Sequence, residues 1–289
     1  MRVTQGMISN NMLRNLSNSY TNLNTYLEQV STGKKITRPS DDPVIAMKGI
    51  NFRRQVTEVG QFKRNVGEVH NWMDNSDSAL DKTTKALQKL RELAVQASND
   101  TYDESERKNI KEEAEQIKKH LVDIANTKVN DKYIFNGNKT EEKPFAKDGT
   151  SSAENKAVEI EVSNGIKIRA NVLPEDVFGD DFFKKIDSFI TNLDTNNQEG
   201  INQSIEALDA NIDNTINARA DLGARMNRLE LIENRLDEQE VIAKKTMSDN
   251  EDIDYEKAIT DLITQETLHR AALAAGSRII QPTLLDFLR

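Results

Sequence analysis

Few side chains in this sequence are spaced for bond-making chemistry. Histidine occurs only at 70, 120 and 269, and none of the three has the H-E-x-x-H spacing that would put two imidazoles on one metal. His70 sits beside Trp72 in a helical pattern, His120 follows Lys118 and Lys119, and His269 precedes Arg270. Ser31-Thr32-Gly33-Lys34 echoes the end of a phosphate loop, but the position five residues before Gly33 is Glu28, where that loop needs glycine. A helix stop explains the segment better. Glu112, Glu113 and Glu115 read as a solvated helix face, because paired catalytic carboxylates need a pocket that shifts them. There is no cysteine, which removes thiolate sites and disulfides. No catalytic, cofactor-binding or metal residue is assigned, and the expectation is a protein that is not an enzyme and has no cofactor.

The chemistry that does repeat is apolar burial. Residues 59–97 place Val59, Phe62, Val66, Val69, Met73, Ser76, Leu80, Thr83, Leu87, Leu90, Ala94 and Ala97 at alternating steps of three and four. Ile205, Leu208, Ile212, Thr215, Arg219, Leu222, Met226 and Leu229 repeat the spacing late in the chain, and Leu13, Leu16, Tyr20, Leu23, Leu27 and Val30 do so near its start. A seam of period 3.5 is buried only when a second helix lies along it. At helical rise, 59–97 alone spans about 58 Å. The fold class implied is mainly α: a long antiparallel coiled-coil rod formed by the N- and C-terminal segments, with a small α+β insertion at its tip. A composition of 30% charged and 5% aromatic residues suits thin-cored rods.

Punctuation divides the rod. The pattern predicts helices over about 8–32, 44–98, 103–129, 201–248 and 255–280. Gly33 ends the first, and Asp42 with Pro43 supplies an N-cap and first helical residue for the second. Asn10, Asn11, Asn15 and Asn18 are poor helix formers, so the first helix is weak alone. Residues 249–254 form an acidic break. Six of the nine phenylalanines lie between 135 and 189. Val158, Ile160 and Val162 alternate with Glu159 and Glu161, then Asn164-Gly165 leads to Ile166, Ile168 and Ala170 alternating with Lys167 and Arg169, which predicts a hairpin. Glu159 and Glu161 are expected to pair with Lys167 and Arg169 across it. Beyond Pro174, Phe182, Phe183, Ile186, Phe189, Ile190 and Leu193 mark a short amphipathic helix. The expected domains are 1–43 with 253–289 as a terminal helix pair, 44–140 with 200–252 as a helical rod domain carrying a β-turn, and 141–199 as a small α+β outer domain. Gly223, inside the return helix, is expected to allow close packing or a kink.

Two paired helices bury one stripe each and leave flanking apolar residues outside. That singles out Leu13, Leu16, Tyr20, Leu23, Leu27 and Val30 on the first helix, Ile259, Leu262 and Leu273 on the last, and the tail residues Leu284, Leu285, Phe287 and Leu288 as a subunit interface. The net charge of −9 without a basic block excludes a nucleic-acid footprint. No run of 18 apolar residues is present, so no membrane insertion is expected. The first twenty residues lack the apolar core of a cleaved signal.

STGKKITRPSDDPVIA at 31–46, LVDIANTKVNDKYIFNGNKT at 121–140, ARADLGARMNRLE at 218–230 and QPTLLDFLR at 281–289 give the chain a resemblance over about 1–140 and 200–289. It resembles the flagellin superfamily of bacterial flagellar axial proteins, and within it the members at the hook–filament junction more than the flagellins. The resemblance implies a structural adaptor between hook-associated proteins and the filament. Its implied partners are hook-associated protein 1, flagellin, copies of itself in a ring, and a cytoplasmic export chaperone holding the C-terminal region. It also implies export by the flagellar type III apparatus and residence in the flagellum after a transient cytoplasmic stage. The alternatives are a flagellin-type filament subunit and, in another class, a cytoplasmic coiled-coil scaffold.

Overall fold

The computed structural model describes residues 5–99, 104–179 and 181–280. Seven helices and four short strands follow in the order α1 (Gln5–Thr32), α2 (Pro43–Ala97), α3 (Glu104–Ala125), β1 (Lys128–Val129), β2 (Lys132–Tyr133), β3 (Glu159–Ser163), β4 (Ile166–Arg169), α4 (Pro174–Phe178), α5 (Phe182–Asp194), α6 (Gln198–Glu251) and α7 (Tyr255–Ile280). The fold is mainly α, with two small antiparallel hairpins. The chain forms two compact units, 1–58 with 240–289 and 59–239, so α2 and α6 each run from one unit into the other.

In the unit formed by 59–239, the heptad seam is the core. Val66, Val69, Met73, Leu80, Leu87, Leu90, Ala94 and Ala97 of α2 are buried, as are Leu208, Leu222, Leu229 and Leu236 of α6. Ser76, Thr83 and Thr215 occupy seam positions with their hydroxyls satisfied, because each donates to a carbonyl four residues back, on Trp72, Ala79 and Asn211. Ion pairs fix the antiparallel register of the two helices. Lys63 pairs with Asp237 at 2.7 Å, and a hydrogen bond of 3.1 Å between His70 Nε2 and Glu233 adds to them. Arg219 reaches Asp77 at 2.7 Å and Asp81 at 2.8 Å, and Arg91 pairs with Asp209. Arg219 stands on the seam in sequence and leaves it by forking toward these two carboxylates. Trp72 is buried in this core, its indole N–H donating to Glu68.

The 135–189 phenylalanines form one cluster. Phe178 packs edge-on against Phe135 at 5.2 Å and Phe182 at 5.1 Å between ring centroids, and Phe145 stands at 5.6 Å. Such edge-to-face contacts add about 0.5–1.5 kcal/mol each beyond burial. This segment shares its core with α3, against which α5 packs. Side-chain amides, half-buried at Asn126 and buried at Asn136, hold the intervening loops. Asn126 binds both the N–H and the carbonyl of Phe145. Asn136 donates to the carbonyls of Lys139 and Glu142 and accepts from the Glu154 N–H. Buried polar groups satisfied in this way specify a loop path rather than weaken it.

The amphipathic helix expected over Phe182 to Leu193 is α5, and a short helix that the pattern did not foretell, α4, precedes it. Three sequence expectations are corrected. α3 ends at Ala125 rather than 129, since Lys128-Val129 and Lys132-Tyr133 pair as a hairpin across Asn130 (φ 49°) and Asp131 (φ 62°). Glu159 and Glu161 do face Arg169 and Lys167, but no ion pair joins them among the described residues. Arg169 turns to Asp221 of α6 at 2.7 Å, and Glu161 accepts from the Gly165 N–H. Gly223 meets nothing within 4 Å of an added Cβ, so it serves no close approach.

Candidate subunit interface

In the unit formed by 1–58 and 240–289, α1 and α7 pack antiparallel. Gly33 lies against Tyr255, Ser19 Oγ is 3.3 Å from His269 Nδ1, and Met12 lies over Gly276. The half-buried positions of α1 are Ser9, Met12, Leu16, Ser19, Leu23, Tyr26, Gln29 and Val30, and all but Gln29 fall on one heptad seam facing α7. On α7 the matching positions are Ala258, Leu262, Gln265, His269, Ala272 and Gly276. The seam is narrow and polar-spotted, and Ala243 and Ala258 are the only buried apolar side chains among this unit's described residues.

The loop after α1 is heavily cross-linked. Gly33, with φ 70°, closes the helix through its N–H to the Gln29 carbonyl. Its own carbonyl accepts from Ile253 N–H at 3.0 Å, and Lys35 N–H donates to the Glu251 carbonyl at 2.7 Å. Asp41 accepts from the N–H groups of Thr37 and Arg38, and those backbone bonds hold its carboxyl below the usual range. Asp42 caps α2 by accepting from the N–H groups of Val44 and Ile45. Lys34 Nζ binds Asp252 at 2.6 Å and Arg53 binds Glu251 at 2.7 Å. The Glu251 side chain is only 6% exposed, its Oε1 meets the α-carbon of Gly49 so closely that an added Cβ would lie 2.5 Å away.

Outside these contacts the unit exposes a set of large apolar side chains. Leu13 (51% exposed), Tyr20 (62%) and Leu27 (49%) recur every seventh residue on α1, beside the buried seam. On α7, Ile259, Ile263, Leu268 and Leu273 are exposed. Of the residues singled out from sequence, Leu13, Tyr20, Leu27, Ile259 and Leu273 therefore face solvent, whereas Leu16, Leu23, Val30 and Leu262 are half-buried within the pair. Leu284, Leu285, Phe287 and Leu288 lie outside the described residues. Sequence reasoning missed Val44, Met47 and Ile50 on α2 and Val241 and Ile242 on α6, all exposed. The signal was there: apolar residues at steps of three directly after Pro43 mark one helix face.

Exposure is concentrated here. Among the described residues, every exposed large apolar side chain except Val95, Ile216 and Leu231 belongs to 1–58 or 240–289. Every residue of the main buried core belongs to 59–239. This unit therefore carries most of the exposed aliphatic side chains and almost none of the buried core among the described residues. No helix among the described residues is long and apolar enough to cross a membrane.

Comparison with known proteins fits this arrangement. The family model for the bacterial flagellin N-terminal helical region matches residues 3–140, and that for the bacterial flagellin C-terminal helical region matches 205–288. Flagellar hook-associated protein 3 of Escherichia coli is 27% identical, covering 95% of this chain and 96% of that protein. Flagellar hook-associated protein 3 of Salmonella typhimurium is 27% identical, covering 94% of this chain and 95% of that protein. The crystal structure of Bacillus cereus FlgL superposes with a TM-score of 0.61 at 26% identity, over 68% of this chain and 99% of the other. With both terminal regions matched in the order and at the spacing of the heptad helices, the chain belongs to the flagellin superfamily, and over its length it is similar to the hook-associated protein 3 members.

Proposed function

We propose that this chain is a structural adaptor of the bacterial flagellum that joins the hook-associated proteins to the flagellin filament, and that it works by assembly rather than catalysis. The observation that carries the reading is the separation of roles between the two units: a closed core in 59–239 and an open apolar surface in 1–58 with 240–289. Similarity to hook-associated protein 3 along nearly the whole chain supports the junction over a filament role.

In this reading residues 1–43 with 253–289 form the helix pair that packs against neighbouring subunits. Residues 44–140 with 200–252 form the rigid helical part, and 141–199 form the variable outer portion. The partners are hook-associated protein 1 on one side, flagellin on the other and copies of this chain in a ring. The chain is exported by the flagellar type III apparatus, with a chaperone holding its C-terminal region before export. The test is deletion of the gene followed by electron microscopy and assay of the culture medium. Hooks that retain hook-associated protein 1 while flagellin accumulates in the medium are expected; intact filaments would overturn the reading.

A further inference from the structure

Glycine follows asparagine or aspartate three times in this chain, at Asn136-Gly137, Asp148-Gly149 and Asn164-Gly165. In each pair the glycine nitrogen has no neighbouring Cβ to shield it. It can therefore attack the side-chain carbonyl carbon of the residue before it, which is one reason asparagine is thermolabile. The fold decides which pair reacts, by leaving both groups free or by occupying them.

Two of the pairs are closed. Asn136 is 1% exposed. Its amide donates to the Lys139 and Glu142 carbonyls and its oxygen accepts from the Glu154 N–H, so the side chain cannot turn toward the Gly137 nitrogen. Gly137 is itself buried, and a Cβ there would lie 2.3 Å from the Glu154 carbonyl oxygen. At Asp148 the Thr150 N–H holds the carboxyl below its usual range, and an ionised carboxylate resists attack. The Gly149 N–H is spent on the Ala146 carbonyl. Asn164-Gly165 differs. It is the two-residue turn between β3 and β4, where Ser163 pairs with Ile166. Both turn residues are exposed, the Asn164 amide has no hydrogen bond among the described residues, and a Cβ added at Gly165 would meet nothing within 4 Å. One bond restrains the nucleophile: the Gly165 N–H donates to Glu161 Oε1 at 3.0 Å. Glu161 is also exposed, so this bond opens to water without disturbing the core.

We infer that Asn164 is a site of spontaneous deamidation, which the fold permits there and blocks at Asn136. The Gly165 nitrogen loses its proton to hydroxide and bonds to Asn164 Cγ. The Cγ–Nδ2 bond breaks, and Nδ2 takes a proton from water and leaves as ammonia. Water then opens the succinimide ring. Breaking the bond from Cγ to the ring nitrogen gives aspartate; breaking the bond from the main-chain carbonyl gives isoaspartate, whose main chain runs through Cβ and Cγ. Either product sets a new carboxylate beside Glu161, and the second adds an atom to the path of a two-residue turn. The hairpin is tied to α2, since the Asn65 amide donates to the Glu161 carbonyl at 2.7 Å, so the change falls on a docked element. This goes beyond the junction role and does not depend on it. The test is incubation of the full chain in mildly alkaline buffer, folded and in guanidinium chloride, followed by peptide mass mapping with an isoaspartate assay. In the folded chain, conversion at Asn164 is expected to be at least tenfold faster than at Asn136. In denaturant both are expected to convert, because the bonds that hold Asn136 are gone. Asn164 staying intact in the folded chain, Asn136 keeping pace with it there, or Asn136 staying intact in denaturant would each overturn the inference.

Discussion

Lys34 Nζ and Asp252 Oδ1 lie 2.6 Å apart, 218 positions distant in sequence, and the same two residues form a backbone bridge. The pair ties the loop after α1 to the junction of α6 and α7, and Ser248 adds a second hydrogen bond to the Asp252 carboxylate. Together with Arg53 and Glu251 it holds the start of α7 in place although little apolar burial does so.

The pair sets a pH window. Its hydrogen bond to Lys34 lowers the Asp252 carboxyl below its ordinary 3.8, and the same bond raises Lys34 above its ordinary 10.5. A lowered carboxyl contributes stability that is present above its unfolded value and lost as pH falls through the folded one. A raised amine contributes stability that is present below its unfolded value and lost as pH rises through the folded one. The contribution is therefore whole between about pH 4 and about pH 10. Both groups are partly exposed, so it amounts to at most about 1 kcal/mol and falls with salt. Hydrogen exchange at the Ile253 and Lys35 amides, which bond across this junction, reports it. Lys34→Gln is expected to speed exchange there at pH 7 without changing 66–97; unchanged exchange would show the pair to be idle.

Gly223 and Gly149 are expected to respond oppositely to alanine. An added Cβ at Gly223 meets no atom within 4 Å, and glycine inside a helix costs about 0.5–1 kcal/mol relative to alanine. Gly223→Ala should raise the unfolding free energy by about that amount, and the urea midpoint with it. Gly149 has φ 91°, and a Cβ there would lie 2.7 Å from the Phe183 ring. Gly149→Ala should cost about 1–3 kcal/mol from backbone strain alone. Urea unfolding of both variants measures the pair, and a stabilised Gly149→Ala would show the 146–151 turn to be free to rearrange.

Phe178 is the centre of the aromatic cluster, in ring contact with Phe135, Phe145, Phe182 and Phe183. Truncating a buried phenylalanine costs about 3–5 kcal/mol. Because Phe135 precedes residues 141–199 and packs on Phe178 within them, Phe178→Ala should also loosen α3, against which α5 packs. Calorimetry with exchange mapping separates the outcomes: protection lost in α5 alone would mean the segment melts independently.

The heptads made α2 and α6 legible, because a period of 3.5 sustained over many turns has one physical solution. The capping of α2 by Asp42 and the stop at Gly33 were equally legible, since both are local. What the sequence did not yield was chemistry between distant segments. Arg169 could have paired along its own hairpin, and only the nearness of α6 sends it to Asp221. Asn126 and Asn136 look like ordinary loop residues until their amides are seen holding Phe145 and Glu154. On α1, three-and-four spacing mixed two stripes: Leu16, Leu23 and Val30 turn toward α7, while Leu13 and Leu27 turn away and Tyr20, though exposed, keeps its ring 6.0 Å from that of His269 on α7. Spacing alone cannot divide them, because the partner helix decides which stripe is inside.

The outward stripe carries the decisive prediction. Leu13 and Leu27 are about half exposed in the chain by itself, so aspartate there removes little intrachain packing. Leu13→Asp/Leu27→Asp should shift unfolding by no more than about 0.5 kcal/mol per site, the range of surface substitutions. In assembly the same side chains lose their aliphatic burial, worth about 1.5–3 kcal/mol each, and gain a charge to desolvate. Such a penalty, repeated in every copy of a ring, should abolish assembly. Leu231→Asp is the control, since Leu231 is 71% exposed but lies in 59–239, and it should leave assembly intact. Complementation of a deletion strain, scored by swarming alongside circular dichroism of the purified variants, compares the two. Full motility with Leu13→Asp/Leu27→Asp, or equal loss with Leu231→Asp, would show that exposure of the α1 stripe is not what assembles the protein.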